Sequence, residues 1–310
     1  KLFHDALVPF AERRIINMII TIHDSKTTAS IDTLGAQLIS MKDAGGKEHI
    51  WQRDPAVWSR CSPLLFPAVG NCRNGKTLFD GVWYEMPKHG FCATSEFSVS
   101  DQSETHATFQ LTANKNTLRF YPYYFILTLT YRLNNGVLSM DYSVKNIGDS
   151  RMVYCIGAHP GFVCPLEEGE SFEDYRLEFE QTENTASMPY NPERMEFNAE
   201  STRFHLENTR FLPLDYELFH NDAVYFDEIR SRKVSVVNPS TGKGIEVDYA
   251  GFETVAFWTP YESQAPFVCV EPWNGSAIRS DEDDEFAHRH HVQSLNPQEE
   301  KSYHLGIRIL

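Results

Sequence analysis

Apolar and polar residues alternate with a period of two along many segments of the chain. The segments with this alternation span residues 125–131, 138–144, 175–179, 234–236, 245–249 and 303–309. Alternate side chains of a strand point to the same face, so the pattern predicts half-buried antiparallel strands. Asn135-Gly136 separates the first two segments, and an Asn-Gly step tolerates the positive φ angles of a tight hairpin.

The sequence contains no convincing three-turn helical pattern and no low-complexity linker. Strands joined by short polar turns are typical of two packed sheets. The sequence therefore predicts an all-β fold, a large antiparallel β-sandwich. We expect residues 18–310 to form one domain, with Met18 as the first natural residue. Residues 1–17 are then an N-terminal extension of unknown origin, which need not be native.

Charge and composition exclude some classes of binding partner and some types of site. The chain carries 28 Lys and Arg against 43 Asp and Glu, a formal charge of −15, which argues against nucleic acid and anionic membranes as partners. No apolar run reaches the roughly 20 residues of a membrane-spanning helix. The six cysteines are scattered without a CxxC pair, which predicts reduced thiols in a cytoplasmic protein, not a disulfide scaffold or zinc knuckle.

Two ionisable residues stand where neither a core nor a turn requires them. His159 lies between a predicted strand and Pro160-Gly161, where proline stiffens the backbone and glycine leaves space for the imidazole to face a cleft. Glu271 ends the apolar row 267–271, where burial would raise its pKa toward the range useful for proton abstraction. The alternatives are a hydrogen-bonded histidine at a strand end and a rim carboxylate paired with a basic residue.

Further polar and aromatic residues are candidates for ligand contacts. His89 precedes Gly90 at the edge of an apolar segment. Asn71 and Arg73 offer an amide and a guanidinium that donate hydrogen bonds to hydroxyls, although turn chemistry also explains an asparagine. Trp273 is either a stacking platform for the apolar face of a sugar or a core residue.

Two charged clusters resemble cation sites without fitting one. His288, His290 and His291 resemble a metal cluster, but adjacent residues of a strand point to opposite faces, so we predict no metal site there. The acidic run 281–285 lacks the alternating ligands and glycine of an EF-hand and is interpreted as a solvated loop.

In their order along the chain, several segments resemble the aldose 1-epimerase (galactose mutarotase) family, particularly its bacterial LacX-like branch. The segments that carry the resemblance are 67–73, 89–91, 158–162, 219–223, 271–273 and 295–299. The resemblance extends over nearly the whole chain from about Met18. It implies the galactose mutarotase-like β supersandwich, in agreement with the strands read from the alternation.

The resemblance also implies a function and roles for individual residues. His159 matches the general acid that protonates the ring oxygen of a pyranose, and Glu271 matches the general base that deprotonates the anomeric hydroxyl, the two facing opposite parts of the ring. The residues that match those holding the sugar hydroxyls are Arg73, His89 and Asp222, with Asn71 as a neighbour. The implied protein is an aldose 1-epimerase that interconverts sugar anomers without a metal, nucleotide or redox cofactor.

The substrate is less closely defined. Relatives that act on hexose 6-phosphates often carry Ala-Arg after the His-Gly-Phe step, whereas this chain has Cys92-Ala93. The missing arginine and the charge of −15 favour a neutral free hexose. Other cations that remain available for a phosphate are Arg53, Arg60, Lys88 and Arg119. The alternatives are a hexose-6-phosphate 1-epimerase, a non-catalytic carbohydrate-binding protein, and a metal-dependent β-barrel enzyme with His89, His159 and Glu271 as ligands.

Overall fold

The computed structural model describes residues 18–310, so the expected extension, residues 1–17, lies outside the described residues. The strands are β1 (Ile19–His23), β2 (Thr27–Asp32), β3 (Gln37–Asp43), β4 (Leu64–Leu65), β5 (Lys76–Phe79), β6 (Val82–Glu85), β7 (Ser98–Gln102), β8 (His106–Thr112), β9 (Phe125–Asn134), β10 (Val137–Asn146), β11 (Met152–Tyr154), β12 (Ile156–Ala158), β13 (Gly161–Val163), β14 (Arg176–Met188), β15 (Tyr190–Asn191), β16 (Glu196–Phe197), β17 (Phe204–Pro213), β18 (Val224–Phe226), β19 (Lys233–Val237), β20 (Gly244–Asp248), β21 (Thr254–Trp258), β22 (Phe267–Asn274), β23 (Gln293–Leu295) and β24 (Glu300–Ile309). Single 3₁₀ turns lie at Arg73–Gly75, Cys92–Thr94, Thr117–Arg119, Phe172–Asp174, Tyr216–Phe219, Tyr261–Ser263 and Phe286–His288.

A fifteen-stranded antiparallel sheet dominates the structure. Its main path runs in the order β4-β12-β22-β21-β18-β14-β19-β20-β24-β10-β9-β8-β7, with β13 added beside β22 and β17 beside β14. A separate sheet of β1, β2 and β3 contributes its buried side chains to the same hydrophobic core. The predicted all-β antiparallel fold is confirmed. None of the helical turns within residues 18–310 has the length and hydropathy needed to cross a membrane.

The alternation in the sequence corresponds to alternating burial in the strands. In β10, Leu138, Met140 and Tyr142 are buried, whereas the polar residues between them are partly exposed. The hairpin between β9 and β10 turns at Asn135 and Gly136, whose φ angles are 53° and 83°. Both angles are positive, as the Asn-Gly step predicted.

Strand β22 lacks the alternation of buried and exposed residues, and it carries Glu271 of the candidate site. All eight residues of β22 are buried, and the strand lies inside the sheet, with β21 paired to one edge and β12 and β13 paired to the other. Strands buried on both faces read as continuous apolar runs. Glu271 lies inside this apolar strand, and His159 lies in the short connection between β12 and β13.

Candidate active site

A cavity of about 370 Å³ opens where β22 meets the connection between β12 and β13. The sequence-predicted site residues that line it are Asn71, His89, His159, Asp222, Glu271 and Trp273. A further set of lining residues, not predicted as sugar contacts, adds aromatic and cationic side chains, and it includes Trp58, Arg60, Lys88, Tyr190 and Trp258.

His159 and Glu271 are in direct contact. Nε2 of His159 lies 3.2 Å from Oε2 of Glu271, and the two residues are only 7% and 2% exposed. Strand pairing produces this contact, because the N–H of Val270 donates to the carbonyl of Pro160, which brings the neighbouring residues together. The structure thus places the pair side by side and not across the ring. The arrangement still suits an anomeric centre, since the ring oxygen and the anomeric hydroxyl are both bonded to C1.

Burial determines where the protons of this pair reside. Burial lowers the pKa of His159, and the charge of Lys88 lowers it further. Burial also raises the pKa of Glu271 well above 4.5, although Lys88 and the N–H of Trp273 oppose that shift. Both shifts favour the uncharged forms, a neutral imidazole beside a protonated carboxyl. Transfer of the carboxyl proton across the contact would produce an imidazolium beside a carboxylate.

Aromatic rings fix the orientation of His159. The ring of Trp58 stacks on the imidazole at a centroid distance of 5.0 Å and an angle of 28°. The rings of Trp258 and His89 approach it edge-on, at 5.8 and 5.5 Å. Sequence reasoning missed both tryptophans, and the only signal for Trp58 was a large aromatic residue in a segment without strand alternation.

His89 is held as a neutral hydrogen-bond donor. Its Nδ1 accepts a hydrogen bond, 3.1 Å long, from the N–H of Gly70, which leaves the ring proton on Nε2. Burial and the charge of Lys88 hold the pKa of His89 well below 6.5, in agreement with this tautomer. Such a group suits a sugar hydroxyl better than an anionic ligand.

Asn71 and Asp222 supply the remaining predicted polar contacts. The side-chain amide of Asn71 donates to the hydroxyl of Tyr190 at 2.8 Å, so Tyr190 positions this amide at the cavity wall. Asp222 adopts a positive φ of 71°, and its Oδ1 accepts from the N–H of Ala223 at 2.8 Å. Trp273 stacks on Tyr225, at a centroid distance of 5.5 Å, so it is both a wall of the cavity and part of the core.

The structure does not bring Arg73 to the cavity. Its guanidinium donates to Oδ1 of Asp284 at 2.8 Å and to Oε2 of Glu196 at 3.4 Å. It also donates to backbone carbonyls of the segment 279–282, and therefore ties two loops together. The acidic run 281–285 is correspondingly not a freely solvated loop, because Asp284 and Glu285 accept hydrogen bonds from other segments.

The histidine cluster is arranged differently from the sequence expectation. Nε2 of His290 and Nε2 of His291 each lie 2.8 Å from the carboxylate of Asp227, so the two rings point to the same side. The premise of a strand is wrong here, since His291 has a positive φ of 55° and the pair follows a 3₁₀ turn. His288 bonds Asp283 instead. These histidines do not line the cavity of the candidate site.

The donor set disfavours the metal-dependent alternative. His159 and Glu271 have Cys269, not His89, as the third potential ligand within 4.8 Å. Burial raises the pKa of the Cys269 thiol well above its ordinary value and so holds it protonated, whereas metals bind thiolates. Nδ1 of His89 is already occupied by the N–H of Gly70.

Comparison with known proteins shows where this architecture belongs. The sequence model of the family described as aldose 1-epimerase matches residues 18–307. The chain belongs to the aldose 1-epimerase family. It is 35% identical over 301 residues to the chromosomal Protein LacX of Lactococcus lactis subsp. lactis, an alignment that covers 94% of this chain and 99% of LacX. The predicted family and its LacX-like branch are thereby confirmed.

Solved structures of aldose 1-epimerase relatives share the fold. A galactose mutarotase related enzyme from Lactobacillus acidophilus superposes with a TM-score of 0.89 at 29% identity, covering 94% of this chain and 97% of that one. A galactose mutarotase-like protein from Lactobacillus casei ATCC 334 gives a TM-score of 0.87 at 28% identity, covering 94% and 100%. The fold is therefore the predicted galactose mutarotase-like one. Family membership indicates an isomerase that binds sugars.

Proposed function

We propose that the protein is a cofactor-independent aldose 1-epimerase that interconverts the α and β anomers of a free hexose. The observation that carries this proposal is the buried contact between His159 and Glu271 in the wall of a cavity of about 370 Å³. A cavity of this size suits a small ligand. Simple sugar binding does not require an acid and a base side by side.

The pair can exchange both protons of the reaction. With the proton of the pair on His159, Glu271 accepts the proton of the anomeric hydroxyl while His159 donates to the ring oxygen. The bond from C1 to the ring oxygen breaks, C1 becomes a carbonyl carbon, and rotation about C1–C2 exposes its other face. Ring closure reverses the two transfers, so atoms and charges balance without a co-reactant. Each group typically contributes about 10²- to 10⁴-fold to such a reaction.

The surrounding residues orient the sugar. We assign Nε2–H of His89 and the groups of Asn71 and Asp222 to sugar hydroxyls, since all three residues line the cavity. Trp58 and Trp258 confine the imidazole of His159 through the ring contacts described above. The acid and the base are therefore preorganised, and catalysis does not require them to be repositioned.

Polarimetry of freshly dissolved sugars tests the proposal. A panel of crystalline α-aldoses is dissolved with and without the protein, and the decay of optical rotation is followed. We expect the decay constant to rise in proportion to protein concentration for at least one aldose. The buffer rate for every sugar, with binding detected by calorimetry, would instead support the non-catalytic carbohydrate-binding alternative.

The pH dependence follows from the one-proton pair. On the acid side, activity is lost when the pair takes up a second proton, on His159. Because burial lowers the pKa of His159 below 6.5, this loss is expected at a lower pH than for an ordinary histidine. On the basic side, activity is lost when the pair gives up its one proton, from Glu271. Because burial raises the pKa of Glu271 well above 4.5, this loss is expected at a higher pH than for an ordinary glutamate. We expect a broad bell in kcat/KM, with activity at pH 5.5 within about twofold of the maximum. An acid limb centred near 6.5 would contradict this account of His159.

A further inference from the structure

Three side chains with metal-binding atoms converge outside the cavity that contains His159 and Glu271. They are Asp227, which follows β18, and His290 and His291, which precede β23. Nε2 of His290 lies 2.8 Å from Oδ2 of Asp227, and Nε2 of His291 lies 2.8 Å from Oδ1. One potential ligand atom of each residue lies within 4.8 Å of the other two. Because bonds from a metal to imidazole nitrogen or carboxylate oxygen are about 2.0–2.2 Å long, small side-chain movements bring all three onto one ion.

A second carboxylate supports the far side of His291. Its Nδ1 bonds Oε2 of Glu253, so Nδ1 carries a proton and Nε2 is directed at Asp227. Metal-bound histidines almost always donate their second ring N–H to a carboxylate, a carbonyl or water, which fixes the ring and raises its basicity as a ligand. The hydroxyl of Tyr225 donates to Oδ1 of Asp227 at 2.9 Å and orients that carboxylate in turn. The three potential ligands are therefore held by outer contacts of the kind that metal sites require.

The charges around the cluster leave room for a cation. Nη1 of Arg279 lies 3.5 Å from Oδ2 of Asp227, but Nε and Nη2 of Arg279 both donate to Asp281 at 3.0 Å. Glu282 adds a further carboxylate beside the cluster, because it accepts the N–H of His290. The side chain of Asp227 is 19% exposed, so an ion can reach it from solvent. The carboxylates outnumber the single guanidinium, and a divalent cation can offset the remaining negative charge.

A proton on His291 competes with any metal. Burial lowers the pKa of His291, but its hydrogen bonds to Asp227 and Glu253 outweigh burial and raise the pKa above 6.5. Nε2 must lose its proton before it can coordinate an ion, so binding releases a proton. This requirement favours an ion with a strong preference for imidazole, such as Zn²⁺, over Ca²⁺ and Mg²⁺, which prefer oxygen ligands.

We propose that Asp227, His290 and His291 form a structural zinc site, with a fourth position open to water. The sequence expectation of no metal site placed His288 with the other two histidines on a strand. The structure instead supplies Asp227 as the third ligand, and the left-handed backbone at His291 brings both rings to its carboxylate. An ion held there links the segment after β18 to the segment before β23. The site is separate from the cavity and does not depend on the proposed function.

Calorimetric titration with ZnCl₂ tests the site on protein purified without a histidine tag and treated with a chelator. We expect one Zn²⁺ per chain, with a thermal midpoint that rises as Zn²⁺ is added, and no comparable binding of Ca²⁺. Asp227→Asn and His291→Gln should abolish this binding, and Glu253→Gln should weaken it by about 10- to 100-fold. His288→Gln is the matched control and should keep the wild-type affinity, because His288 bonds Asp283 instead.

Unchanged Zn²⁺ affinity in the folded Asp227→Asn and His291→Gln variants, or Ca²⁺ binding as tight as that of Zn²⁺, would overturn the site. Glu271→Gln is a further control, since His159, Cys269 and Glu271 are the other group of potential ligands within residues 18–310. Loss of Zn²⁺ binding in Glu271→Gln alone would place the ion in the cavity and also overturn the proposal. If Asp227→Asn fails to fold, the graded loss in Glu253→Gln against His288→Gln decides the question. The titration measures no reaction, so its outcome is independent of the polarimetric test of mutarotation.

Discussion

Replacing Glu271 with glutamine is expected to lower the catalysed mutarotation rate by about 10²- to 10⁴-fold, because the amide cannot accept the proton of the anomeric hydroxyl. Glutamine preserves the shape of a side chain that is 2% exposed and lies 3.2 Å from Nε2 of His159. The packing of β22 is therefore largely retained. The measurement is the initial slope of optical rotation with saturating sugar, corrected for the buffer rate.

A matched substitution separates the loss of a base from the loss of any carboxylate. Glu207→Gln removes an exposed carboxylate from β17, outside the cavity, and should retain the wild-type rate. Far-ultraviolet circular dichroism and thermal melting show whether both variants are folded. A folded Glu271→Gln protein with the wild-type rate would refute the assignment of the base.

Replacing Gly90 with alanine is expected to destabilise the protein by about 3 kcal/mol or more, since two unfavourable effects combine. Gly90 has a φ of +75°, and an added Cβ would lie 2.1 Å from the carbonyl oxygen of Phe66. That oxygen belongs to backbone, which also accepts the N–H of Phe91, so it cannot move freely. Urea denaturation measures the change in the free energy of unfolding.

Gly81→Ala is the control for the clash. Gly81 has a φ of +77°, close to that of Gly90, but an added Cβ there meets nothing within 4 Å. The control should therefore show only the strain of a left-handed alanine, about 1 kcal/mol. Similar losses in the two variants would mean that the close approach to Phe66 is unimportant. Because His89 immediately precedes Gly90, any folded Gly90→Ala protein should also bind sugar more weakly.

The strands were predictable because their signal is local. Residues 125–131 and 138–144 alternate over a few positions, and an Asn-Gly step between them specifies the turn. The candidate site was predictable in its residues but not in its geometry. His159 and Glu271 meet because β12 and β13 both pair with β22, and pairing over more than 100 residues leaves no mark in the local pattern.

The remaining differences have the same origin. Arg73 matched a family position, but its charge is neutralised by Asp284, a residue 211 positions away in the sequence. The expectation for His290 and His291 assumed a strand, whereas the left-handed backbone at His291 turns both rings toward one carboxylate. The sequence pattern thus does not predict contacts between distant segments or the backbone angle of a single residue.

Exchange spectroscopy at anomeric equilibrium tests the central claim most directly. Two-dimensional NMR exchange spectra of an aldose record the interconversion of its α and β anomers without any net reaction. We expect cross-peaks between the anomeric resonances to grow with added wild-type protein, to vanish to the buffer level with Glu271→Gln, and to appear without a new product. Exchange at the buffer rate for wild-type protein with every aldose in the panel would contradict the account.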